Sequence, residues 1–252
     1  SERIKKHVAD CGSRMLFIRR PGREGQLIGS HRFYICDTRP GRRSIRVGRV
    51  ARPEDILDLD LSPDGHVPGT REVSAPLPLV CTHAKRDQCC AVRGRPIAAV
   101  LEKQLGGRLL DLDPDALVWE CSHTGGHRFA PVLLLPGTGY TYGPAGIDLA
   151  VRIVEGELEG EVVTEHLRGR STWPPAGQVA EVAVRDSGVD AGIDDLRVEI
   201  DPENSRVAVV RHTDGRAWRV ETDTRPLPDR KQSCRKPPTG AKAWFVESVT
   251  EL

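Results

Sequence analysis

Short runs with period-two alternation are interleaved with a few longer runs of helical period, so the pattern predicts a mixed α/β (α+β) protein. A helix end near 1–10 leads into a strand from Arg14 to Arg19, stopped by Pro21-Gly22. His31–Asp37, a Pro40-Gly41 turn and Ser44–Val50 read as a hairpin, with Ile45 and Val47 on one face. A short acidic helix near 53–60 follows, and the Pro/Gly-rich stretch 63–78 reads as a linker.

The middle of the chain carries stronger signals. Pro78-Leu79-Val80 is a short buried strand ending at Cys81. A helix is expected over 95–105, with Pro96 in its first turn and Gly106-Gly107 as its stop. Leu117–Glu120 is a second strand that runs into Cys121, Arg128–Leu135 a third and Tyr140–Tyr142 a fourth. A helix over 147–158 completes a β-α-β-β-β-α order that approximates a thioredoxin-like layered sheet. Beyond it come a helix near 175–185 and strands around 196–200, 206–211 and 216–222, a small antiparallel β-meander. The Pro- and Lys/Arg-rich tail from Arg225 to Gly240 reads as irregular. Three segments result: 1–75, 76–165 and 166–252.

Charge and cysteine usage narrow the class. The net charge is +1, yet residues 1–50 hold 13 Lys/Arg against 4 Asp/Glu. That basic segment is a candidate docking surface for an acidic partner. Nucleic acid is disfavoured as the partner, because no aromatic platform is interleaved with the arginines. No apolar run reaches the roughly 18–20 residues of a membrane span, and Ser1–Lys6 has no secretory-signal pattern. An odd count of seven cysteines argues against a disulfide framework and for a reducing, cytoplasmic compartment.

Four of those cysteines lie between residues 81 and 121, and His83, His123 and His127 accompany them. The two segments are Cys81-Thr-His83-Ala-Lys-Arg86-Asp87-Gln-Cys89-Cys90 and Cys121-Ser-His123-Thr-Gly125-Gly126-His127. Each follows an expected strand end, where an α/β scaffold usually carries its site residues. Thiolate and imidazole suit borderline and soft metals, so Cys81, Cys90, His123 and His127 are the candidate ligands. Gly125 and Gly126 let the backbone turn tightly enough for both imidazoles to face one point. H-x3-H is common in Cys2His2 zinc sites, but their cysteines usually stand two to four residues apart. The spacing alone therefore leaves zinc and an iron–sulfur cofactor equally open, and Cys89 rivals Cys90 as a ligand.

The run Cys81-Thr82-His83, Arg86-Asp87, Cys90, followed by Cys121-Ser122-His123-Thr124-Gly125-Gly126-His127-Arg128-Phe129-Ala130, resembles the sucrase/ferredoxin-like family. Arg168–Pro175 and Ser233-Cys234 extend the likeness over most of the chain. The resemblance implies two thioredoxin-like halves, the second holding a [2Fe–2S] cluster on Cys81, Cys90, His123 and His127. His83, Arg86, Asp87, Cys89, Cys121, Gly125 and Gly126 would surround it. An electron carrier is expected rather than an enzyme, served by a separate reductase and acceptor, since no G-x-G-x-x-G links a strand to a helix. The alternatives are a zinc-clamped structural or interaction module and a thioredoxin-like thiol redox enzyme. The latter lacks its usual C-x-x-C.

Overall fold

The computed structural model describes residues 2–22, 30–62, 65–85, 87–125, 127–231 and 236–252. In chain order its elements are α1 (Glu2–Asp10), β1 (Ile18–Arg19), β2 (His31–Asp37), β3 (Ser44–Val50), β4 (Arg71–Glu72) and β5 (Leu79–Cys81). Then come α2 (Gln88–Leu112), β6 (Trp119–Cys121), β7 (Leu133–Leu135), β8 (Tyr140–Tyr142), α3 (Ile147–Glu159), β9 (Leu167–Arg170) and α4 (Pro175–Asp186). Strands β10 (Leu196–Ile200), β11 (Val207–His212), β12 (Ala217–Lys231) and β13 (Pro238–Glu251) close the chain. The mixed α/β class with a C-terminal antiparallel sheet is as expected.

The central sheet has six strands in the order β1-β6-β5-β7-β8-β9. Strands β5 and β6 run parallel and α2 connects them, whereas β7 and β8 are antiparallel additions on the other side of β5. The order β6-β5-β7-β8, with α2 and α3 packed on it, is that of a thioredoxin-like unit. Strand β1 comes from the first 75 residues and β9 lies beyond residue 165, so both ends of this sheet are supplied by the flanking segments. Strands β2, β3 and β4 form a separate three-stranded sheet, and α4 covers the four-stranded sheet β10-β11-β12-β13.

Helix α2 differs most from the expected pattern. It begins seven residues before Arg95, keeps Pro96 inside, and runs through Gly106-Gly107 to Leu112. An interior proline costs about 3 kcal/mol. Burial of Ile97, Leu101, Leu105 and Leu109 outweighs it, at about 1.5–3 kcal/mol per side chain. The apolar face therefore sets the helix length. Pro131 shortens the expected strand 128–135 to Leu133–Leu135, because proline has no N–H to give a ladder. A short 3-10 turn, His127–Phe129, occupies its place.

Two further expectations fail for similar reasons. The presumed linker contributes β4 and buries Val67, Val73, Ala75 and Leu77. The tail is not irregular, since Thr224 pairs with Trp244 and Leu227 with Ala241 in a long two-stranded ribbon. Its residues 232–235, including Cys234, lie outside the described residues.

Buried ion pairs fasten these layers. Asp113, which ends α2, accepts two guanidinium hydrogen bonds from Arg71 at 2.8 and 2.7 Å and one from the Asp115 N–H at 2.8 Å. In the second core, Glu181 of α4 accepts from the Tyr140 hydroxyl at 2.5 Å and from the Trp173 indole at 2.8 Å, tying α4 to β8.

Two predictions follow from this packing. A Cβ on Gly94 would stand 2.5 Å from the carbonyl oxygen of Cys81, whereas one on Gly107 would meet nothing within 4 Å. Overpacking costs about 1–3 kcal/mol and exceeds the roughly 1 kcal/mol gain in helix propensity. Gly94→Ala should therefore destabilise by about 1–2 kcal/mol, and Gly107→Ala should stabilise by up to about 1 kcal/mol, read by urea unfolding. Separately, hydrogen bonding from Arg71 is the main cause that lowers the Asp113 carboxyl to about 2. The stability it contributes is complete above the unfolded-state value near 4 and is lost as pH falls toward 2. That loss should be about 2 kcal/mol and absent in Asp113→Asn.

Candidate metal centre

Strands β5 and β6 end side by side, with Cys81 opposite Cys121 in the parallel register. The two loops that follow are thereby neighbours. The Thr82 N–H donates to the Cys121 carbonyl at 3.2 Å, and the His123 N–H donates to Nδ1 of His83 at 3.3 Å. The loop after Cys81 returns at Asp87, whose N–H donates to the His83 carbonyl at 3.1 Å. Asp87 is buried and caps α2, which places Cys89 and Cys90 in the first helical turn.

This geometry brings Cys81, Cys90 and His123 together, with their donor atoms all within 4.8 Å of one another. Both cysteines are buried and His123 is half-buried. Nδ1 of His123 is buried without a hydrogen-bond partner among the described residues, as a nitrogen reserved for a metal would be. The donors fit a metal in chemistry as well as position, since two thiolates and an imidazole suit zinc and iron–sulfur centres alike.

The sulfurs of Cys81 and Cys90 act on each other in opposite directions. The hydrogen bond from the Cys90 thiol is the largest influence lowering the Cys81 thiol below its usual value. The N–H groups of His83 and Thr124 add to it, against the opposing effect of burial. Cys90 moves the opposite way, pushed up by Cys81 and by burial. The position of Cys90 at the N-terminus of a 25-residue helix favours negative charge on its sulfur once a metal takes the proton's place.

The remaining expected residues take distinct places. Cys89 is half-buried and is not part of the donor group. Cys121 is a buried thiol, pushed up by burial and then by the charge of Cys81, and it packs in the main core. His83 holds the backbone of His123. Gly125 has φ +99°, a conformation that favours glycine, and so makes the turn after Thr124. Arg86, Gly126 and the side chain of His127 lie outside the described residues.

Several supporting contacts join residues far apart along the chain. Glu120, buried in β6, accepts from Arg19 of β1 at 2.5 Å and from the Thr82 hydroxyl at 2.7 Å. Ser122 exchanges two hydrogen bonds with Phe17, its N–H to the carbonyl at 2.7 Å and its hydroxyl from the N–H at 3.0 Å. Arg14 donates to the Thr124 carbonyl at 2.7 Å and Arg93 to that of Ala130 at 3.4 Å. Arg168 and Arg128 both stack on Phe129, at 3.6 and 4.8 Å from the ring centre. These contacts join residues up to 110 positions apart, and no period or motif announces them.

Fold and site together define a mixed α/β protein with a Cys2His group able to hold a metal ion. The sucrase/ferredoxin-like family model matches residues 15–169, and the chain belongs to that family. No curated protein and no solved structure matches it. The match reaches from just before β1 into β9, so α4 and the four-stranded sheet lie beyond it.

The adjacent thiols give a direct test. Cys90→Ala should abolish stoichiometric metal binding, while Cys89→Ala should retain it, as measured by elemental analysis of the purified proteins.

Proposed function

We propose that this protein is a one-electron carrier with a [2Fe–2S] cluster on Cys81, Cys90, His123 and His127. The observation that carries this reading is the convergence of Cys81, Cys90 and His123 in a chain of a ferredoxin-like family. His127 follows in the same loop at the spacing that family uses, and supplies the fourth ligand in this proposal. The cluster, when bound, accepts and releases single electrons.

The chain's own residues would tune that chemistry. Two buried sulfurs keep one side of the site dry, and the backbone N–H groups directed at Cys81 stabilise negative charge on it. Neutral imidazoles in place of two thiolates remove negative charge, which raises the potential above that of all-cysteine plant-type ferredoxins. His123 is half-buried, so its ring reaches water. The imidazole nitrogen turned away from the metal keeps a proton that it gives up more readily when the site is oxidised. Donor and acceptor would be separate proteins. Cys11, Cys36, Cys81, Cys90 and Cys121 are free thiols, which suits a reducing compartment such as the cytoplasm.

Structural zinc is the second reading. It is favoured by the donor set, since two thiolates and an imidazole drawn together also suit a structural zinc site. A visible and EPR spectrum with iron and zinc analysis separates the two. The carrier reading expects a red-brown protein with about two iron atoms per chain, the stoichiometry of such a cluster. A colourless protein with stoichiometric zinc overturns it. Two consequences can be measured. The potential should fall as pH rises between about 6 and 10, and His123→Cys should lower it and flatten that dependence.

A further inference from the structure

The basic segment 1–50 is largely committed within the molecule. Arg19 pairs with Glu120 at 2.5 Å, Arg32 with Asp115 at 2.9 Å and Arg43 with Asp194 at 2.7 Å, and Arg20 pairs with Glu102. Lys5, Lys6 and Arg39 are paired with Glu2, Asp10 and Asp37 close by. Its excess charge is therefore mostly answered by carboxylates of its own chain.

Positive charge remains unanswered elsewhere. Arg14, Arg93 and Arg168 touch the carbonyl of Thr124, the carbonyl of Ala130 and the ring of Phe129, in the stretch that follows His123. Lys85 is exposed on the facing loop. Among the described residues, Arg14, Lys85, Arg93 and Arg168 make no ion pair with a carboxylate. Arg14 and Arg93 end on neutral carbonyl oxygens, and Arg168 on an aromatic face. Their charges are thus fixed in position yet not neutralised. Two exposed apolar side chains adjoin these residues along the chain or through the backbone: Val92, next to Arg93 and 64% exposed, and Phe17, whose N–H bonds Ser122 and whose side chain is 51% exposed. A charged rim around exposed apolar side chains is the composition of a transient protein interface.

We infer that this face, formed by residues 122–125 and 128–130, Lys85 and the exposed start of α2, docks the acidic surface of a redox partner. The inference rests on the carrier reading for the redox character of the partner. It places the partner directly over the half-buried His123 rather than on the basic segment at the N-terminus. Opposite charge would speed encounter, and salt would slow it.

The test uses a strongly acidic flavodoxin as the probe. Its binding to the full chain is measured by calorimetry at about 20 and 200 mM salt, which brackets strong and weak screening. Electron transfer from the reduced flavodoxin is followed by stopped flow. The variant Lys85→Glu/Arg93→Glu is compared with Lys103→Glu/Arg108→Glu. The second pair lies farther along α2, is exposed, and changes the net charge equally. The first pair should weaken binding and slow transfer by about tenfold or more at low salt, the second by less than about threefold. Lys85→Glu alone, at an exposed side chain, should weaken binding by about threefold, which guards against misfolding of the double variant. Equal effects of the two pairs, or a wild-type protein that does not bind the flavodoxin, overturn the inference. A protein without iron defeats the carrier reading instead, and the binding contrast between the pairs still decides the docking face.

Discussion

The parallel pairing of β5 with β6 sets Leu79 beside Trp119 and Cys81 beside Cys121, and the site follows from that register. Because side chains alternate along a strand, a slip of one residue would turn Cys81 to the opposite face and separate the two loops. The register is held from three directions. Helix α2 lies against β5 at a distance that only Gly94 permits. Glu120 binds Arg19 on one side and Thr82 on the other. Strand β1 lines up Ile18 with Cys121 at the outer edge. The donor group is thus the end point of a packed sheet, and the loops need little independent order to bring their ligands together.

The polar interior works in the same direction. Buried charges cost free energy unless they are paired, and removing one partner typically costs about 3–5 kcal/mol. Glu120, Asp113 and Glu181 are all buried, and each is satisfied by residues distant in sequence. Each therefore penalises arrangements in which its segment is misplaced. Glu181 does this for α4 and the C-terminal sheet, Asp113 for β4, and Glu120 for β1. Together they make one structure out of segments whose apolar clusters are separate.

Much of this was legible in the amino-acid sequence. The hairpin His31–Asp37 and Ser44–Val50 was readable to the residue, because alternation and a Pro-Gly turn agreed. The grouping of Cys81, Cys90 and His123 was readable because the two Cys/His segments match a family motif, although spacing alone did not separate Cys90 from Cys89. What stayed hidden depended on partners far along the chain. The start of α2 was masked by Pro96, which normally opens a helix but here sits inside one whose apolar face is buried. The β12–β13 ribbon was masked by its prolines, lysines and arginines, which a strand edge open to solvent accommodates. Arg14, Gly94 and Glu120 gave no sign, since the contact that defines each lies from 13 to 110 residues away.

The internal pairing of the N-terminal arginines bears on how the molecule can be divided. Glu120, Glu102, Asp115 and Asp194 each take a guanidinium from the first 50 residues, and the central sheet takes β1 from the same stretch. A chain begun at residue 76 would keep both ligand loops. It would lose the cations that neutralise these carboxylates, one of them fully interior, and would expose a sheet edge beside the donor group. The portion that carries the donor group is therefore not a transplantable cassette. Grafted into another protein without its basic leader, it would carry a stranded negative charge directly behind the site it was meant to preserve.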